Sequence, residues 1–493
     1  MAFKQSVGTQ LTTILARLPA ELGLSSRHFF CGISQIAVGG DTAFTEACAA
    51  LGIRQRIFLP QPLDEYLHAG ESKDADFSPA QQAEARDLAQ LPHIIQQRVV
   101  SSSNDRHERF SDANMEVARI SNLVVGLVRA DQIEMPGGTL ELIKIAENRG
   151  LPVLVVTIGV ENGLPVLMAE WRGKARFVLP TAPHPLESLP AAETGPMAAL
   201  PEAAAFAGHL LHHASELAKV HHGLFKTAAF IIIGTHILAT FCAVSAVQFH
   251  ETLAHTLVWF LILELLLIGC GFAVHQLLHR REASQQWAAA RLIAELGRSV
   301  AALGRQPSAF AYLFQLPFPD RFRPLLHTLH VLHLVDTSRP DGKSWQGRLA
   351  NYLACRLDGS NGQIAFYTSR SKHAARWLRL ANTAFNCCSG GAFIAVCCKL
   401  FHMGGQYGIL VFGSLAIVMP VLAVAALSLA AAFDLEARKQ TFSDMRDFLT
   451  AQRALLARAT ADREFCQLVV ETEFRLLGET VNWYSRRAFA GVA

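Results

Sequence analysis

The chain has 493 residues, of which 51% are hydrophobic and only 17% charged, against about 25% charged in ordinary soluble domains. A formal net charge of +3 without any run of Lys and Arg leaves no case for a nucleic-acid polymer as partner. Ten cysteines include Cys387-Cys388 and Cys397-Cys398 inside an apolar stretch and no paired CxxC motifs, which argues against both a zinc site and a disulfide framework.

Residues 1–26 read as an N-terminal amphipathic segment, with Leu11, Ile14, Leu15 and Leu18 on one helix face and no apolar signal core. Membrane entry is therefore expected from internal segments. Residues 27–178 read as an α/β domain. Short apolar runs at His28–Ile33, Arg56–Leu59, Ile94–Val100, Asn122–Val128 and Pro152–Ile158 alternate with segments of helical length. That alternation predicts a Rossmann-like parallel sheet covered on both faces, with any ligand beyond the carboxyl ends of its strands. Two loops fall at such ends. One contains Gly32, Ser34, Gly39, Gly40, Asp41 and Thr42, and the other Pro136, Gly137, Gly138, Thr139 and Glu141. Glycine lets a backbone approach a ligand closely, and the free amides of a helix start attract phosphate. These residues are the candidate ligand-binding set. None is assigned a catalytic role, and no metal site is read.

The segments Gly39–Leu51, Phe58-Leu59-Pro60 with Glu65-Tyr66, and Pro136–Glu141 followed by Gly150–Thr157 resemble the SLOG (Smf/LOG-like) superfamily of Rossmann-like nucleotide binders. Within it, they are similar to the versions fused to membrane helices in bacterial defence operons. The family includes phosphoribohydrolases with a PGGxGTxxE pattern and a catalytic arginine. This chain reads Pro136-Gly137-Gly138-Thr139-Leu140-Glu141, without the later glycine and its spacing to the glutamate. The resemblance thus implies phosphate or ribose binding, with Asp41 and Glu141 as hydroxyl acceptors, rather than hydrolysis.

Residues 179–222 read as a Pro/Ala/Glu-rich linker followed by a lever helix, Ala203–Val220. Four stretches then reach the roughly 20 apolar residues that a bilayer requires: Thr227–Gln248 and Leu253–Leu278 in a first hairpin (223–279), and Asn382–Phe401 and Tyr407–Phe433 in a second (381–434), turning at Gly404-Gly405. Lys219, Lys226, Arg280 and Arg281 flank the first pair; Arg370, Lys372, Arg376, Arg379, Arg438 and Lys439 flank the second. By the positive-inside rule both termini and the region between the hairpins face the cytoplasm. Glu264 lies mid-span, where an ionised carboxylate costs at least about 3 kcal/mol. A turn near His250 would set it level with His236, giving a polar pair in the membrane; a protonated Glu264 bonded to a neighbouring helix is the alternative. Pro420 is a candidate kink.

Between the hairpins, residues 280–380 read as a cytoplasmic helical region, with helices at Glu282–Leu303, Leu325–Leu334 and Gly347–Leu357. His327, His330 and His333 fall three apart, a metal ladder in form but without a Cys or carboxylate to complete it, and so read as partly buried histidines. Residues 435–493 read as one C-terminal helix. Gln363–Leu378, a hairpin, and a long helix closing with Glu471-Thr472-Glu473, Glu479 and Trp483 resemble the SLATT membrane modules, and Trp287, Arg291 and Glu295 echo the latter two residues as a trace of duplication. These resemblances together imply a membrane effector of bacterial antiphage defence, in the inner membrane. A small nucleotide-derived ligand, a cyclic oligonucleotide or an ADP-ribose derivative, would gate it, without a further cofactor. The bilayer and copies of the same chain would be its partners. The competing expectations are a membrane-anchored nucleotide hydrolase or glycosylase using Glu141, a structural adaptor, and a transporter.

Overall fold

A computed structural model describes residues 2–24, 28, 30–68, 78–135, 137–177, 203–249, 257–280, 282–304, 309–337, 344–360 and 362–489. The chain divides into two compact units. The first joins the N-terminal region to Arg321–Asp341, and the second holds Ala204–Asp320 and Gly342–Ala493.

The first unit runs α1 (Ala2–Glu21), β1 (Cys31–Ser34), α2 (Gly40–Ala50), β2 (Arg54–Leu59), α3 (Leu63–His68), α4 (Pro79–Ala89), β3 (Ile94–Val99), α5 (Arg106–Ile120), β4 (Val124–Arg129), α6 (Thr139–Asn148), β5 (Val153–Glu161) and β6 (Leu164–Arg172). The expected single parallel sheet is instead two three-stranded sheets. One is the parallel β1-β2-β3; the other is β4-β5-β6, with β4 and β5 parallel and β6 antiparallel. The tight Asn162-Gly163 turn, both residues at positive φ, folds β6 back on β5. The N-terminal helix is part of this unit's core: Val7, Leu11, Leu15 and Leu18 pack with Ala43, Ala47, Leu154 and Val156. Gln10 ties α1 to β6 at both ends of its amide, donating to the Pro165 carbonyl and accepting from the Leu167 amide. On the first sheet, Ile57 and Leu59 pack under α3 and α4 with Tyr66, Leu67, Ala85 and Leu88.

The opposite face of that sheet is covered from far along the chain. Helix α10 (Arg323–Thr337) lays Val331, Leu334 and Val335 on Ile95 of β3. The three histidines ride on this helix, with His330 and His333 buried. Among the described residues no group of three or more His, Cys, Asp or Glu side chains is placed to hold a metal.

The second unit is helical: α7 (Ala203–Gln248), α8 (Leu257–Arg280), α9 (Ala283–Leu303), α11 (Trp345–Tyr352), α12 (Gln363–Leu400), α13 (Gly405–Ala432), α14 (Leu435–Leu456) and α15 (Asp462–Phe489). Four of its helices, α7, α8, α12 and α13, are long and apolar enough to cross a membrane. They expose Phe230, Phe241, Trp259, Leu265, Phe272, Phe393, Ile394 and Val424, far more contiguous apolar surface than a soluble domain tolerates. The lever and first apolar stretch form one uninterrupted helix, α7, and its first half lies on α9, where a Cβ on Gly297 would stand 2.8 Å from the Ala207 carbonyl oxygen. Helices α12 and α13 pack along each other, joined through Gly404 and Gly405 at positive φ. Helix α13 continues through Pro420. The C-terminal helix expected as one element is two, α14 and α15, broken at residues 457–461.

These helices meet at a buried ionic core. A π-helical turn, Leu353–Asp358, presents Arg356. Its guanidinium donates to both oxygens of Glu473 on α15, at 2.8 and 2.7 Å, and to Glu295 on α9 at 2.8 Å. Tyr352 adds a 2.8 Å hydrogen bond to Glu473, and Arg298 a second cation on Glu295. Burial alone would raise the Glu295 carboxyl, but Arg356 and Arg298 outweigh it and bring it down to about 2. A layer above, Trp287 and Trp483 stand edge to face at 5.1 Å, Arg291 lies 4.4 Å over Trp483, and Arg291 reaches Glu479 at 3.8 Å.

Removing Arg356 while leaving both carboxylates buried should cost about 3–5 kcal/mol. Arg356→Met is therefore expected to lower the denaturant midpoint of the detergent-solubilised chain sharply. Arg446→Met, which breaks a half-exposed pair with Asp447, should cost at most about 1 kcal/mol. Equal effects of the two would refute the assignment of Arg356 as the ionic core.

Candidate functional site

The expected ligand set lies in the first unit, at the ends of β1 and β4. After Ser34 the chain takes an unusual path: the β-branched, fully buried Ile36 sits at φ 72°, a conformation such residues avoid at a cost of about 1–3 kcal/mol. Gly39, at φ 110°, then turns the chain into α2. Asp41 curls back to accept the Ala37 amide at 3.0 Å, and the Thr42 hydroxyl accepts the Gly39 amide at 3.1 Å. Burial raises the Asp41 carboxyl to about 6, against the opposing pull of the Ala37 and Gln35 amides. The Thr42 and Ala43 amides are bonded to the Ala37 and Gly39 carbonyls, which leaves those of Gly40 and Asp41 as the helix-start amides without an intrahelical partner.

The second loop is built differently. Gly137 holds φ 78°, and a Cβ there would collide with Phe110 of α5. Its amide donates to Glu141, whose other oxygen accepts Ser111 at 2.8 Å. Glu141 is thus occupied by its own loop, which weighs against its expected role as a free hydroxyl acceptor. Gly138 and Thr139 open α6.

One side chain joins the loops. Asn114, on the buried face of α5, accepts from the Gln35 amide at 2.8 Å and donates to the Gly138 carbonyl at 3.2 Å. Gly40 meanwhile rests against Leu127 of β4. Sequence reasoning named neither Gln35 nor Asn114. The available signal was a lone amide among Ala113, Val117 and Ala118 on a face that is otherwise apolar.

Two expected members serve packing. Gly32 lies within β1 beneath Cys48 and Phe44, leaving no room for a side chain. Ser34 accepts from Gln55, which also donates to Thr45 and contacts His93, a buried chain of hydrogen bonds below the site. In the membrane helices the expected His236–Glu264 pair takes a different register. His236 bonds the Ile232 carbonyl of its own helix at 2.7 Å and stands beside Gly271.

No protein-family model matches the chain, and comparison with curated proteins and with solved structures likewise finds no match.

Asn114→Leu removes the acceptor of the buried Gln35 side-chain amide, at about 1–3 kcal/mol, and leaves the Gly138 carbonyl with only its Leu142 bond. Hydrogen exchange should accelerate in residues 35–42 and 137–142 together. Acceleration in one segment alone would show that the loops are independent.

Proposed function

We propose that this chain is a multi-pass membrane effector gated by a small nucleotide-derived ligand. In this reading the Rossmann-like, SLOG-like first unit receives a cyclic oligonucleotide or an ADP-ribose derivative between its two glycine loops. The SLATT-like helices, as two hairpins in a homo-oligomer, then open a pore or disrupt the bacterial inner membrane during antiphage defence. Both termini are cytoplasmic in this reading, as the basic flanks of all four apolar helices require.

The observation that carries the proposal is the coupling of the two loops through Asn114 in a chain that also bears four membrane-length helices. A phosphate drawn to the amide-rich start of α2 perturbs Gln35, and through it the loop at Gly138. Transmission has a physical route in α7, which is continuous from residue 203 into its apolar stretch. Two packings support this orientation: α10 lies on β3 and the start of α7 lies on α9, as expected when the segments before α7 and after α8 share a side. That condition holds when the pair crosses the bilayer an even number of times. A ligand shifts such a system only by preferring one helix arrangement over the other.

The anchored-hydrolase alternative needs a free Glu141, and its engagement by Gly137 and Ser111 counts against it.

Liposomes carrying the purified chain should leak ions on addition of one member of a panel of cyclic oligonucleotides and ADP-ribose derivatives. The response should disappear in Gly137→Ala. Steady release of base from nucleoside monophosphates without any leakage would transfer the site to the enzyme reading.

A further inference from the structure

A second polar cluster lies on the opposite face of the β1-β2-β3 sheet. Side chains alternate along a strand. Gln55 and Ile57 point toward Ser34, Thr45 and the α3/α4 core, so Arg56 and Phe58 point the other way. The strand register places Gln96 opposite Arg56 and Arg98 opposite Phe58. Two guanidiniums consequently share one buried ring, with Arg56 at 5.0 Å and Arg98 at 5.9 Å from the Phe58 centroid.

The charges here do not balance. Arg56 is 4% exposed, yet its sole hydrogen bond among the described residues runs from Nε to Gln96, at 2.7 Å. Its two terminal amino groups make no hydrogen bond among the described residues and keep access to solvent. The neighbouring acid, Glu116 on α5, is already engaged by Arg119 through two bonds of 2.7 and 2.9 Å and by Arg98 at 3.2 Å. Cys31 brings no charge, since burial pushes its thiol up to about 11 despite Arg56 beside it. On α10, burial and then the Arg56 charge hold His327 and His330 neutral, down to about 4 and about 2. Arg98 and Arg119, each about half exposed, form a rim open to solvent.

A guanidinium largely withdrawn from bulk water, with its terminal amino groups still reachable, is suited to a charged acceptor arriving from solvent. Three guanidiniums facing one carboxylate leave two positive charges, the charge of a phosphate dianion, and the forked guanidinium matches its oxygens. We propose that Arg56, Arg98 and Arg119, beneath α10, bind inorganic phosphate or the phosphate of a phosphomonoester. This site is separate from the glycine loops. Because α10 is joined by chain to the helical unit at both ends, occupancy fastens a segment that follows the first pair of apolar helices.

Hydrogen exchange of the full chain in detergent, with inorganic phosphate or AMP against chloride at equal ionic strength, tests the proposal. Protection is expected in 54–59, 94–99 and 323–337 with both probes if free phosphate suffices, and with AMP alone if an ester is required. Arg98→Gln should weaken the response roughly tenfold or more. Arg56→Gln should abolish it while leaving the phosphate-free chain folded. Protection no greater than with chloride overturns the proposal. So does protection confined to 35–42 and 137–142 that survives in Arg56→Gln, which assigns phosphate to the loops. Should Arg56→Gln unfold while Arg98→Gln responds like the parent chain, Arg56 is structural and the proposal fails.

Discussion

A guanidinium withdrawn from water must be given acceptors, and Arg356 receives them from two helices at once. Glu473 takes two of its bonds and Glu295 a third, and the Tyr352 hydroxyl donates a further bond to Glu473. Three segments flanking the apolar helices are thereby joined: α9 after the first pair, the π-helical turn before α12, and α15 after α13 and α14. None can shift alone without stranding a charge. The π-helical geometry belongs to this arrangement, since widening one turn rotates the residues around it and Arg356 lies within that turn. Arg56 in the α/β unit is buried as deeply but is met by a neutral amide oxygen and the Phe58 ring. The same residue type is bonded to two carboxylates in one unit and to none in the other.

The helical unit is also shaped by what hydrocarbon forbids. Backbone groups inside a bilayer must find partners within the segment, so the apolar stretches are helices. Nothing obliges those helices to stop at the interface, and α7 and α12 extend well beyond their apolar parts. Near the ends of the apolar parts, Phe225, Phe433, Trp287 and Trp483 form an aromatic layer, with Arg291 and Arg438 set over the indoles. Both indoles are buried among the helices.

Much of this was legible in the sequence because local chemistry dictated it. Apolar runs marked five strands and four membrane-length helices, and glycines marked the turns at Gly39, Gly137 and Gly404. Strand β6 escaped notice because Pro165 and the exposed Leu164 and Met168 spoil its alternation; the antiparallel pairing to β5 comes from the Asn162-Gly163 turn. The division into two sheets depends on whether β1 and β4 form a ladder, which no local pattern encodes. Trp287, Arg291 and Glu295 were noticed as echoes of Glu479 and Trp483, and Trp287 meets Trp483 while Arg291 meets Glu479. Asn114 and Arg56 lay beyond reach for one reason: a polar residue in a core position declares that it needs a partner without saying which.

Helix α10 belongs to the α/β unit in space and to the far side of the first two apolar helices in sequence. During synthesis the N-terminal domain therefore waits. Its strands are complete by Arg172, but the cover over Ile95 and Phe58 emerges some 160 residues later, and at ordinary elongation rates roughly ten to thirty seconds pass in between. In that interval α7 and α8 leave the ribosome first. The order of translation thus makes membrane insertion of the first pair a step that precedes closure of the soluble domain, and a nascent chain that fails to insert has an open sheet face to show for it.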